Sequence, residues 1–105
     1  MGVIVIVAYK AKPGKFEALM QQCKTHVPRL RKEGLVTERK PIIMEAANET
    51  IVEIFEWLSE EAIKQAHSNS VVHQIWAEYG EVCDYVPFGS LPEAGDMFAS
   101  FKPVE

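Results

Sequence analysis

Residues 50–59 read TIVEIFEWLS, and residues 60–80 continue EEAIKQAHSNSVVHQIWAEYG. In an extended strand successive side chains alternate, so Ile51, Glu53, Phe55 and Trp57 share one face and Val52, Ile54, Glu56 and Leu58 the other. Both faces are mostly apolar, the pattern of a strand covered on both sides. Its two carboxylates therefore need partners, because a buried charge without one is costly. The strand runs directly into a helix carrying two histidines, an asparagine and a tryptophan, and a site is expected between the two.

Working outward, Ala47-Asn48-Glu49 is turn chemistry, so the preceding segment, Leu35 to Ala46, pairs with the central strand as a hairpin interrupted at Pro41. Upstream of it, Phe16, Leu19, Met20, Cys23, Val27 and Leu30 form a helical stripe, with Pro28 inside it and Gly34 placed to end it. Val3 to Lys10 is a β-branched run closed by Lys12-Pro13-Gly14 and reads as a central strand. Downstream, Ser59 is placed to cap the second helix, and Ser68-Asn69-Ser70 are poor helix-interior residues where it can break and be recapped. Asp84 to Leu91 supplies a fourth strand. The apolar residues Met97, Phe98 and Phe101 mark a tail, 92–105, that should dock on its own domain or a neighbour.

The order β-α-β-β-α-β is the ferredoxin-like α+β arrangement, an antiparallel four-stranded sheet with its helices on one side. One domain spans 1–105, with its core in 1–91. The first strand is apolar on both faces, so the bare sheet face calls for cover. A second copy packed sheet to sheet supplies it, giving a homodimer in the form of a dimeric α+β barrel.

Among the 105 residues, 11 Lys and Arg stand against 15 Asp and Glu, a formal charge of −4 that argues against a nucleic-acid partner. The basic cluster Arg29, Arg31, Lys32, Arg39, Lys40 reads as a solvated face. The two cysteines, Cys23 and Cys83, lie in apolar helical patterns and read as reduced core residues of a cytoplasmic protein. The opening apolar run is too short to cross a membrane and lacks the layout of a signal peptide.

Glu56-x-Leu58-Ser59-Glu60-Glu61-Ala62, followed by His67-Ser68-Asn69-Ser70, resembles the core of the antibiotic-biosynthesis-monooxygenase (ABM) family of dimeric α+β barrels. Glu56, Glu61-Ala62, His67 and Ser70 match in place. Leu58 stands at the family's aromatic position beside Trp57, and Val71-Val72 replaces the common Pro-His, with His73 one place later. The resemblance implies a pocket between sheet and helices and a cofactor-independent monooxygenase, an oxidoreductase acting on a small aromatic or quinol-type substrate. Its alternatives are a related isomerase and a non-catalytic small-molecule-binding or stress-related barrel. The haem-degrading branch would place its axial ligand at Trp76, so haem is not expected. No metal-ligand spacing, phosphate loop or nucleophile triad occurs, and no cofactor is expected.

His67, His73 and Glu56 are the candidate proton-transfer residues. Asn69, Trp76, Tyr79, Trp57 and Arg39 are the candidate substrate contacts. A continuous second helix puts Asn69, His73 and Trp76 on one face with Ala62, Ala66, Ala77 and Gly80. Those small residues either leave room for a ligand or let the helix pack closely on the sheet. His67 then points roughly 120° from His73, so both reach a pocket only if the helix breaks. Glu56 is either a general base or the structural partner of Arg39 or Lys40 across the hairpin. Trp57 and Trp76 either stack on an aromatic ligand or belong to the core.

Overall fold

The computed structural model describes residues 2–104. The elements follow in the order β1 (Val3–Ala11), α1 (Phe16–Lys32), β2 (Ile42–Ala46), β3 (Thr50–Trp57), α2 (Glu60–Ala66), α3 (Ser70–Val82), β4 (Cys83–Val86) and β5 (Lys102–Pro103). They form a small α+β domain with a five-stranded antiparallel sheet, ordered β4-β1-β3-β2-β5, and three α-helices. The central β1–β3 pair runs from Val3 opposite Trp57 to Lys10 opposite Thr50. That register puts Tyr9, Glu53 and Phe55 on the same face as the helices.

Alternation then decides the core. On the helix side, Tyr9, Ile51 and Phe55 pack with Leu19, Cys23, Val27 and Leu30 of α1 and with Val72, Ile75 and Tyr79 of α3. The α1 stripe holds as a single helix despite Pro28, which sits on its exposed side. Gly34, at φ +73°, ends it: the Gly34 N–H donates to the Arg31 carbonyl and the Leu35 N–H to the Leu30 carbonyl. These are the two bonds of a Schellman motif, which needs a left-handed residue at that position.

Four expectations are corrected. The second strand does not begin at Leu35: Val36 makes a single bridge to Trp57, and pairing resumes only at Ile42, after Pro41, which has no N–H to give. The fourth strand stops at Val86 rather than Leu91, because Pro87 follows and the chain turns into two short 3-10 turns. Cys83 opens β4 rather than lying in a helix; burial pushes its thiol up to about 11. The sheet has five strands, not four, because the tail returns and Lys102–Pro103 pairs with β2.

That tail docks on the chain's own second sheet face. Leu91 and Phe101 join Ala8, Ala46 and Val52 in a second, smaller core. It covers only part of the face: Ile4, Ile6 and Ile42 stay 55%, 49% and 54% exposed. Met97 and Phe98 of the same tail stand out into solvent.

α1 and α3 are tied by Glu78, which accepts from Arg29 Nη1 at 2.6 Å and from Gln22 Nε2 at 3.0 Å. The Arg29 hydrogen bond, aided by Gln22, holds its carboxyl at about 2 against an ordinary 4.5. A folded value below the unfolded one stabilises fully above pH 4.5 and loses that contribution as pH falls toward 2. With its side chain about one-third open to solvent, screening trims the effect. Acid titration of urea-unfolding midpoints should therefore show a shallower loss between roughly pH 5 and 3 in Glu78→Gln than in the parent chain. Parallel curves would assign the tie no role.

Candidate functional site

Glu53 sits at the middle of the central strand with 0% of its surface exposed. Two donors converge on one of its oxygens. The Tyr9 hydroxyl donates to Oε1 at 2.7 Å, and His26 Nδ1 lies 2.9 Å from the same atom. Oε1 accepts from both when His26 carries a proton on Nδ1. Glu53 Oε2 has no hydrogen-bond partner. The neighbouring Tyr79 hydroxyl has none either.

Three elements deliver these groups. Tyr9 comes from β1, Glu53 from β3 and His26 from α1, where it falls seven residues after Leu19 and three after Cys23, on the buried side of the stripe. α3 adds Tyr79, whose ring stacks on Tyr9 at 4.6 Å and 5°. The His26 ring meets Phe55 and Tyr79 edge-on at 5.3 and 5.2 Å. Its orientation is thus fixed by packing on two sides and by a charge-assisted bond at Nδ1. Burial and the adjacent Glu53 raise the Tyr9 phenol well above its ordinary value, so Tyr9 is a hydrogen-bond donor and not an acid at neutral pH. Burial likewise pushes up the Cys23 thiol, which leaves it unreactive.

Above this cluster lies a pocket of about 180 Å³. Its floor is Val5, Val7 and Phe55 of the sheet, its walls Trp57, Trp76 and Tyr85, and His26 and Tyr9 open into it. With Nδ1 committed to Glu53, Nε2 is the ring nitrogen left for a ligand. A larger open cleft of about 430 Å³ lies at the β2–β3 turn against the tail, among Glu45, Glu49 and Glu93. Lys102 shares its lining with those carboxylates, whereas a buried histidine opens only into the smaller pocket.

The residues singled out by sequence divide between the pocket and elsewhere. Trp57 and Trp76 line it, and Tyr79 lies behind it. His67, His73 and Asn69 are not among its lining residues; they stand at the junction where the second helix breaks into α2 and α3. Asn69 caps α3, its Oδ1 accepting from the N–H groups of Val71 and Val72. Its Nδ2 donates to Glu33. His67 closes α2 with Nδ1 at 2.9 Å from the Ile63 carbonyl, and His73 Nε2 is 2.6 Å from the His67 carbonyl; both histidines are exposed. Glu56 lies on the opposite sheet face, bonded by Thr37 at 2.9 Å and Arg39 at 3.0 Å. The Arg39 bond and then Thr37 hold its carboxyl below the ordinary value, the reverse of what a general base needs. Arg39 is occupied there and does not reach the pocket.

Sequence reasoning passed over His26, Glu53 and Tyr9 as a group. The signal was present: Glu53 alternates onto the Ile51–Phe55–Trp57 face, and His26 is the one polar residue on the buried α1 stripe. A carboxylate and a histidine on facing apolar surfaces find each other.

No family model and no curated protein matches this chain. Among solved structures it is similar to protein SO0527 from Shewanella oneidensis, with a TM-score of 0.63 at 13% identity, over 81% of this chain and 84% of that one. It is also similar to NE2512, a protein of unknown function from Nitrosomonas europaea, with a TM-score of 0.58 at 20% identity, over 80% and 79% of the two chains. Both likenesses are of fold. Among the described residues, no helix is long and apolar enough to cross a membrane, and no group of three His, Cys, Asp or Glu side chains is set to hold a metal ion.

A buried polar cluster kept for stability and one kept for chemistry respond differently to replacement. Removing one partner strands a buried charge, whereas an apolar set of similar volume is often neutral or stabilising. His26→Leu should cost about 3 kcal/mol in urea unfolding. The triple variant Tyr9→Phe/His26→Leu/Glu53→Met should recover most of that loss. A triple variant as unstable as the single would mark the cluster as structural.

Proposed function

We propose that this chain is a cofactor-independent monooxygenase of the ABM type, acting on a small aromatic, quinol-type molecule held between the sheet and α1 and α3. The observation that carries the reading is the buried His26–Glu53 pair opening onto a pocket walled by aromatic rings. The strand order β4-β1-β3-β2, with its helices on one face, supports the ferredoxin-like form of that fold. The two unpaired, buried thiols fit a cytoplasmic location.

The geometry gives each residue a role. The ligand ring lies between Trp57 and Trp76 with a hydroxyl directed at His26 Nε2. Nε2 takes the phenolic proton, and Glu53, on the far nitrogen, stabilises the imidazolium and keeps the ring turned correctly. Tyr9 holds Glu53. The electron-rich phenolate then reacts with dioxygen, and the chain supplies no electrons. A hydroquinone and O₂ give a hydroxyquinone and water, with one oxygen atom in each product, so atoms and electrons balance without a further reductant. Excluding water around the phenolate is the task of the aromatic walls.

The bare half of the second sheet face belongs to the same reading. Ile4, Ile6 and Ile42 form an apolar patch beside the docked tail, and a second copy of the chain is its proposed cover. Sedimentation should give a dimer at micromolar concentration, and Ile6→Lys a folded monomer. A monomeric parent chain would remove the dimer from the proposal.

Oxygen uptake with a panel of single-ring hydroquinones tests the activity. Turnover that falls at least ~100-fold in His26→Ala is the expected result, the scale of a lost general base. Saturable ligand binding with no oxygen uptake would instead favour the non-catalytic barrel.

A further inference from the structure

The pocket walls carry no lysine and no arginine. Nearby cations are committed elsewhere: Arg29 to Glu78, Arg39 to Glu56. Directly behind His26 stands Glu53, fully buried, with one oxygen bonded twice and the other facing no donor at all. A carboxylate with an unpartnered oxygen, sealed from water, is poorly neutralised, and its field acts through low-dielectric surroundings rather than through solvent. A guest entering this pocket leaves its own hydration behind and meets that field.

We propose that the pocket selects ligands by charge, with Glu53 as the discriminating group: it admits neutral one-ring phenols, tolerates a cationic substituent and rejects an anionic one. One aromatic ring fits the space, since a cavity of ~150 Å³ accommodates benzene and this pocket holds about 180 Å³. Phosphorylated and carboxylated substrates are excluded as a class, which removes a sugar-phosphate isomerase from the possible activities. Any wall ring that turns its face to the guest works in the same direction, because aromatic faces attract cations and repel anions. The inference deepens the proposed function but needs only its pocket, not its reaction.

The test uses three phenols of matched shape: 4-ethylphenol, tyramine and 3-(4-hydroxyphenyl)propionate, which are neutral, cationic and anionic at pH 8. Both of the chain's tryptophans line the pocket, so quenching of their fluorescence, measured without oxygen, reports binding directly. The expected order is neutral, then cation, then anion, with cation and anion separated at least ~tenfold, as expected for a nearby unscreened charge. Desolvation alone would penalise cation and anion alike, so equal affinities would overturn the proposal. A tighter anion, or no binding by any of the three, would overturn it too. In Glu53→Gln, checked for folding by circular dichroism, the cation–anion gap should close; a folded variant that keeps the gap would acquit Glu53. The parent chain's ranking decides the matter even if that variant does not fold. Charge ranking without oxygen uptake would leave this inference standing and sink the monooxygenase reading; uptake without ranking would do the reverse.

Discussion

A carboxylate buried at the centre of the middle strand is the constraint on which the structure turns. Left alone, Glu53 would cost several kcal/mol. It is compatible with a folded state because Tyr9, from the adjacent strand, and His26, from the first helix, both reach Oε1. Those bonds do more than satisfy a charge. They fix the face α1 turns toward the sheet, and the stacking of Tyr79 on Tyr9 brings α3 into the same arrangement. Three helix and strand packings are thus referred to one atom. Apolar groups of similar volume in place of such a buried polar set are often neutral or stabilising, so stability alone does not account for the cluster.

The alternation of β3 separates two carboxylates only three residues apart into different chemical worlds. Glu53 points among aromatic rings and finds a histidine. Glu56 points to the other face and finds Thr37 and Arg39, whose bonds favour its ionised form. The same alternation assigns the two sheet faces separate tasks. One holds the pocket; the other is shared between the chain's own tail and a row of bare isoleucines. The His26–Glu53 pair lies on the first of these faces and the isoleucines on the second.

Local signals were legible in the sequence because local physics decides them. Gly34 ends α1 since only a left-handed residue closes a Schellman motif, and Ser59 and Asn69 cap helices because their oxygens reach free N–H groups. The fifth strand was not legible: Lys102–Pro103 has no strand periodicity and exists because β2 offers it an open edge. Likewise, periodicity in the first helix showed a stripe but not which of its members would face a carboxylate some 27 residues away. The family-like run around His67 pointed to His67 and His73, which are not among the residues lining the pocket. Its residues do occupy a defined place, but that place is a helix junction.

The junction is nevertheless coupled to the pocket through one side chain. His67 and His73 both rest against the Trp76 indole, at 5.3 and 5.9 Å, and each imidazole is itself held by a backbone carbonyl. Trp76 is also one of the residues lining the pocket. The break at residues 67–69 separates α2 from α3, the helix that carries the indole. Of the three histidines, His26 is the one among the pocket's lining residues.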